Sequence, residues 1–315
     1  MSQARIAIYL VNGFLDSGKT TLLRDTMNMD YFNDGQRTVL IRCEDGECEY
    51  DEAFLSAHNT VLVSVDEPEQ LNAEFFSKLR GLYKPERILM EYNGMWPMEH
   101  ILSAKLPRDW GIFQIISVID GSTFEMYQAN MQSLIVDAVS NSDMILFNRC
   151  RADQPLANYK RSIRAVNRMA EIVFEDDKGV ELEVQDILPY SLDSDSITLE
   201  DADYGIWYLD IQEHPERYVN KTITYKAQAM TSPKLPKGTF VPGRNAMTCC
   251  EDDIRFFGFL CKYPQVKQLK TGEWIWLTAE IRWENAPVYE DMGVVLYAKS
   301  VESALRPEDP LIYFR

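Results

Sequence analysis

A short glycine-bracketed segment near the amino terminus constrains this chain more than anything else in it. Gly13-Phe14-Leu15-Asp16-Ser17-Gly18-Lys19-Thr20 fits the pattern G-x-x-x-x-G-K-S/T without a mismatch. An apolar run, Ile6 to Val11, precedes it, and a helix-forming run, Thr21-Leu22-Leu23-Arg24, follows. The order is therefore strand, glycine turn, helix. Gly13 and Gly18 let the backbone curl so that successive N–H groups face an anion, and the helix opening at Thr20 adds its dipole. Lys19 is the residue type that reaches β- and γ-phosphates, and a hydroxyl in the place of Thr20 ligates Mg²⁺. Asp16, Ser17 and Thr21 complete the expected contacts. The chain is read as a P-loop protein that binds GTP or ATP.

A phosphate loop also needs an acidic residue at the end of a neighbouring strand to organise the metal. Ile88-Leu89-Met90-Glu91 supplies it, and Gly94, three residues on, is placed for its amide to sense the γ-phosphate. Glu91 and Thr20 are the expected Mg²⁺ residues. Lys19, Glu91, Glu44 and Asp51 are the expected catalytic set, with Glu44 or Asp51 positioning water or metal.

Apolar runs alternate with helix-like stretches through the first part of the chain. Strands are expected at 5–11, 38–42, 60–65, 87–91, 114–119 and 144–147, with helices between them. Such alternation predicts an α/β fold, a mostly parallel sheet covered on both faces. The pattern changes after about Tyr204, where aromatic and β-branched residues crowd between Pro- and Gly-containing turns. Strands are expected there at 206–211, 222–230, 274–283 and 294–298. Two domains are expected, a P-loop domain over 1–203 and a smaller β-rich domain over 204–315.

Net charge is −17 at pH 7, which repels a phosphate backbone, so a nucleic-acid partner is not expected. The chain has no apolar run of the roughly 18 residues needed to cross a bilayer, so it is not expected to be integral to a membrane. The amino-terminal apolar stretch is the strand that the loop requires, which argues against a cleaved signal. Six cysteines are too scattered for a disulfide scaffold and fit reduced thiols in a cytoplasmic protein. Cys249 and Cys250, with Asp253 and Cys261, offer soft donors suited to Zn²⁺, although adjacent strand residues point to opposite faces unless the backbone bends. Arg244 is expected to pair with Asp252 or Asp253. His58, His100 and His214 stand in unrelated contexts and are not expected as ligands.

Over roughly residues 5–190 the chain resembles the CobW family of GTPases, relatives of the metallochaperones HypB and UreG. The resemblance lies in VNGFLDSGKTTLL, in IRCEDGECEYDEAFL (Glu44, Gly46, Asp51), in ILMEYNGMWP (Glu91, Gly94, Pro97), in IISVIDG and in DMILFNRC. It implies Mg²⁺-dependent GTP binding, slow hydrolysis, and delivery of Zn²⁺ or Co²⁺ to a client protein. Asn148 and Arg149 then fall where the family reads the base. Two departures stand out. The family's Cys-x-Cys-Cys motif is missing from Leu62–Pro68, leaving Cys43 and Cys48 as thiols nearby, and Arg151 occupies the place of the base-reading Asp, with Asp153 two places late. GTP and ATP both stay open, as does a nucleotide-binding regulatory or scaffold protein with little turnover. A small-molecule kinase would need an arginine-bearing lid, which the sequence does not offer. Residues 222–315 resemble the carboxyl-terminal region of the YcgQ family, which accompanies YcgR permeases. That resemblance implies a permease system as an alternative partner.

Overall fold

The computed structural model describes residues 6–44, 46, 50–184, 188–247, 254–286, 288–289 and 291–313. Two compact units divide the chain: one runs through Leu156 and takes in Val166–Val184, and the other takes in Ala157–Ala165 and the chain from 185 onward. The division expected at 203/204 thus lies beyond the observed exit from the first unit.

The first unit is built on β1 (Ile6–Asn12), β2 (Thr38–Arg42), β3 (Thr60–Ser64), β4 (Arg87–Glu91), β5 (Trp110–Asp120), β6 (Met144–Asn148) and β7 (Glu171–Phe174). They form one sheet in the order β3-β2-β4-β1-β5-β6-β7, and every pairing is parallel. Ile8, Leu10, Leu40, Ile41, Ile88 and Met90 are fully buried, as strands covered on both faces require. The first unit's helices are α1 (Lys19–Asn28), α2 (Glu52–Ala57), α3 (Ala73–Tyr83), α4 (Met98–Leu102), α5 (Phe124–Asn130) and α6 (Gln132–Ser140), while Ala157–Ala165 of α7 (Leu156–Val166) belong to the second unit. The helical stretch expected between β5 and β6 is two helices, meeting at Met131. β1 lies between β4 and β5, so the chain order reverses around it. A crevice opens outside the carboxyl ends of strands at such a switch point. Gly13, Glu91, Asp120 and Asn148 all sit at strand carboxyl ends, which the parallel sheet brings to one side.

The second unit contains β8 (Ser196–Thr198), α8 (Tyr204–Glu213), β9 (Thr222–Met230), β10 (Thr239–Met247), β11 (Ile254–Gly258), β12 (Leu260–Lys262), β13 (Trp274–Asn285), β14 (Met292–Ser303) and β15 (Ile312–Tyr313). β9, β13, β14, β12 and β10 pair in turn, and β10 pairs back to β9, which closes a barrel. β8 precedes the expected boundary yet pairs with β9 and belongs to this sheet. Residues 206–211, expected as a strand, are the middle of α8. That helix is buried nearly all round, from Tyr204 to Ile211, so its sequence shows no polar stripe to mark a helical period. Trp207 packs against Tyr225 at 5.0 Å, and the Tyr204 hydroxyl donates to Phe257 O at 2.9 Å. Among the described residues, no helix is long and apolar enough to cross a membrane.

Candidate functional site

The loop after β1 is shaped by its glycines and closed by its lysine. Gly18 has φ +102°, and a Cβ there would stand 2.5 Å from Asn148 Nδ2, so both conformation and space require glycine. Gly18 also serves as N-cap of α1, which starts at Lys19. Lys19 is only 3% exposed. A buried ammonium must be fully paired. Its Nζ donates to Gly13 O and Phe14 O, both at 2.8 Å, and to a Glu44 carboxylate oxygen at 2.9 Å. The loop therefore presents a cation whose carboxylate partner comes from the segment after β2.

The next residue meets the acid of β4. Thr20 Oγ1 donates to Glu91 Oε1 at 2.6 Å, and the Tyr50 hydroxyl donates to Glu91 Oε2 at 2.7 Å. Glu91 is 4% exposed, and both its oxygens are held by hydroxyl donors. A hydroxyl and a carboxylate at contact distance are hard oxygen donors of the kind Mg²⁺ takes, together with phosphate oxygens. Leu15, Gly18, Thr21, Glu44 and Gly46 join Lys19, Thr20 and Glu91 around a cavity of about 170 Å³.

Asn148 and Arg149 brace this loop from the end of β6. Asn148 Nδ2 donates to Ser17 O at 2.7 Å, while its Oδ1 is buried with no partner among the described residues. Arg149, at φ +51°, donates to Asp16 O at 2.8 Å and pairs with Asp120 at 2.5 Å. Arg151 and Asp153 face each other at 3.0 Å on the surface. Asp153 is thereby tied to the cationic side chain that replaces the expected acid.

Of the expected site residues, Gly13, Asp16, Ser17, Gly18, Lys19, Thr20, Thr21, Glu44, Glu91, Gly94, Asn148 and Arg149 gather at this crevice. Gly94 N donates to Gly13 O at 3.1 Å. Asp51 does not join the cavity's lining. It is the N-cap of α2, its carboxylate accepting from Phe54 N at 2.7 Å, an ordinary structural use of an Asp. Sequence reasoning missed two participants. Asp120 was visible as the acid ending a strand; Tyr50 carried no signal, because its contact with Glu91 depends on how the segment after β2 returns to β4.

The described thiols, Cys43, Cys150 and Cys261, are free and buried. Cys43 is 2% exposed, and burial, with the Glu91 and Glu44 charges, pushes its thiol up to about 12. Burial likewise raises Cys150 and Cys261 to about 12. Cys261 has no exposed surface and belongs to the barrel core. Cys48, Cys249, Cys250, Asp252 and Asp253 lie outside the described residues. Arg244 is buried and donates to Asp201 O at 2.8 Å and to Asp309 O at 2.7 Å, while its expected partners, Asp252 and Asp253, are among the residues outside the description. Among the described residues, no group of three His, Cys, Asp or Glu is placed to hold a metal ion.

The model of the CobW/HypB/UreG nucleotide-binding domain matches residues 7–174, more than half of the chain. The chain belongs to the CobW/HypB/UreG family. The model of the DUF1980 C-terminal domain, the YcgQ-like region, matches residues 174–314. The CobW-type part thus ends where β7 ends. Solved structures with a similar fold include the hydrogenase maturation factor HypB from Archaeoglobus fulgidus, 14% identical, covering 56% of this chain and 83% of that one, with a TM-score of 0.40. The Zn(II)-bound YjiA GTPase from E. coli is 22% identical, covering 55% of this chain and 57% of that one, with a TM-score of 0.41. HypB from Helicobacter pylori in complex with nickel is 12% identical over 56% of this chain and 80% of that one, with a TM-score of 0.36. No curated protein matches the chain.

Proposed function

We propose that the CobW-type unit binds a Mg²⁺-nucleotide, hydrolyses it slowly, and couples its nucleotide state to the handling of a divalent metal such as Zn²⁺ or Co²⁺. One observation carries the nucleotide reading: a buried Lys19 and a Thr20–Glu91 pair lie side by side on a glycine-shaped loop. Mg²⁺, held by Thr20 and Glu91 when bound, would neutralise the developing phosphate charge. Lys19 keeps its two loop carbonyls and exchanges the Glu44 carboxylate for a phosphate oxygen. Gly94, already bonded to Gly13 O, lies against the loop where a terminal phosphate would meet it. Asn148 and Arg149 hold the loop's far side and leave the base to be read by a surface without an acid at position 151. Both GTP and ATP therefore remain substrates to compare.

Slow turnover follows from the same geometry. Asp51 is committed to capping α2 and so is not poised to orient an attacking water. The same observation favours the second reading, a nucleotide-binding regulator with little turnover. The metal arm rests on the family and on Cys48, Cys249 and Cys250, and a client protein would receive the ion.

The exchange at Lys19 makes a distinguishing prediction. A hydrogen bond to a charged group contributes about 1.5–3 kcal/mol, roughly twice a neutral one. Replacing Glu44 by Gln keeps the shape and weakens the competitor, so Mg²⁺-nucleotide affinity should rise about five-fold. Titration of fluorescent GTP and ATP analogues into wild type and Glu44→Gln checks this. Unchanged or weaker binding in the variant would show that Glu44 does not compete with phosphate.

A further inference from the structure

Beside the phosphate loop, the first unit holds a second cavity of about 230 Å³, whose lining does not include Lys19. Gly13–Ser17 forms one wall; the carboxyl end of β5 with α5 and α6 forms the others. Val118, Phe124, Ile135 and Val139 line it and are buried, while Phe14 and Tyr127 on its wall stack at 4.7 Å. An apolar cavity of about 150 Å³ holds a benzene, so this one has room for a bicyclic ring.

Two polar features narrow the ligand. Ser17 is 3% exposed, lines the cavity, and its hydroxyl has no hydrogen-bond partner among the described residues. A buried hydroxyl without a partner is an unmet requirement that a ligand's polar edge can complete. Asp16 and Asp120 line the wall with a single cation, Arg149, whose charge Asp120 already pairs, and this disfavours an anion. We propose that this cavity binds a small neutral aromatic molecule of indole or nucleobase size, with a hydrogen-bonding edge at Ser17 Oγ, and that its occupancy is coupled to nucleotide affinity. The coupling has a physical route. The peptide groups forming the wall at Gly13 and Phe14 are those whose carbonyls accept from Lys19 Nζ, and Arg149 lines both cavities. The coupling, though not the binding, rests on the phosphate-site reading above.

Indole is the probe, followed by saturation-transfer NMR on the full chain, with benzoate as the anionic control and 1-methylindole as the control lacking the N–H. Indole should bind wild type while benzoate does not. Ala138→Leu, which fills the cavity from α6, should weaken indole about ten-fold. Ser17→Ala keeps the cavity open and should weaken indole but not 1-methylindole, which covers the case in which Ala138→Leu fails to fold. Saturating indole should change the Mg²⁺-nucleotide dissociation constant about three-fold or more in wild type, with the reciprocal change in indole affinity. Absence of indole binding up to its solubility limit, equal binding by wild type and Ala138→Leu, or a nucleotide affinity indifferent to indole overturns the proposal. Nucleotide titration without indole is read separately, so a failed phosphate site shows itself there and leaves the NMR comparison intact.

Discussion

Gly94→Ala is expected to cost the loop its shape and the protein most of its nucleotide affinity. A methyl group at position 94 would lie 2.5 Å from both C and O of Gly13 and 2.8 Å from Phe14 N. All three atoms are backbone, so nothing can swing aside. The strand end and the loop must part, and the Gly94 N–H bond to Gly13 O goes with them. Forcing a methyl group into packed structure costs about 1–3 kcal/mol. Because the displaced atoms are the ones that hold Lys19, nucleotide affinity should fall about a hundred-fold. Urea unfolding and nucleotide titration measure the two effects. Gly81→Ala in α3 is the matched control, since a Cβ there meets nothing within 4 Å, and helix propensity should leave it neutral or slightly more stable.

Thr20→Ala should abolish the dependence of nucleotide binding on Mg²⁺. The hydroxyl is the donor to Glu91 Oε1, and its loss leaves a buried carboxylate oxygen short of a partner at a cost of about 1–3 kcal/mol. In wild type, Mg²⁺ should tighten nucleotide binding about ten-fold or more over EDTA, whereas in Thr20→Ala the two conditions should agree. Thr20→Ser restores the hydroxyl and should restore the metal dependence. A merely structural role for Thr20 would lower stability without separating the Mg²⁺ and EDTA titrations.

The parts of this molecule that were legible in the sequence are those where local chemistry leaves few options. A backbone at φ +102° against Asn148 admits only glycine, so Gly18 announces itself. Strands buried on both faces show as unbroken apolar runs, so β1, β2, β4 and β6 were found within a residue or so. β7 and the break between α5 and α6 left no such mark. The carboxyl-terminal unit was harder for a physical reason. α8 buries Tyr204, Trp207, Tyr208 and Ile211 on one side and Gly205 and Leu209 on another, so no polar stripe separates it from a buried strand. β10 contains Pro242 and Gly243, residues that normally interrupt a strand, and they are accommodated here within the barrel wall. At the site, Lys19, Thr20 and Glu91 were legible because one motif fixes the first two and a strand end fixes the third. The contacts of Tyr50 and Asp120 were not, since both depend on segments distant in sequence meeting at the switch point. Glu44 was expected near the metal or water. Its contact with Lys19 is one that only the folded loop shows.

The central claim is that Gly13–Thr20 holds nucleotide phosphates for hydrolysis. Its most direct measurement is titration of Mg²⁺-GTP and Mg²⁺-ATP into wild type and Lys19→Ala, followed by phosphate release at saturating nucleotide. Lys19→Met, which keeps most of the apolar stem, guards against a loss of folding. The expected result is saturable binding in wild type with slow phosphate release, and affinity weaker by about a hundred-fold in both variants. Equal affinity in wild type and variants, or no binding of either nucleotide by the folded wild type, would contradict it.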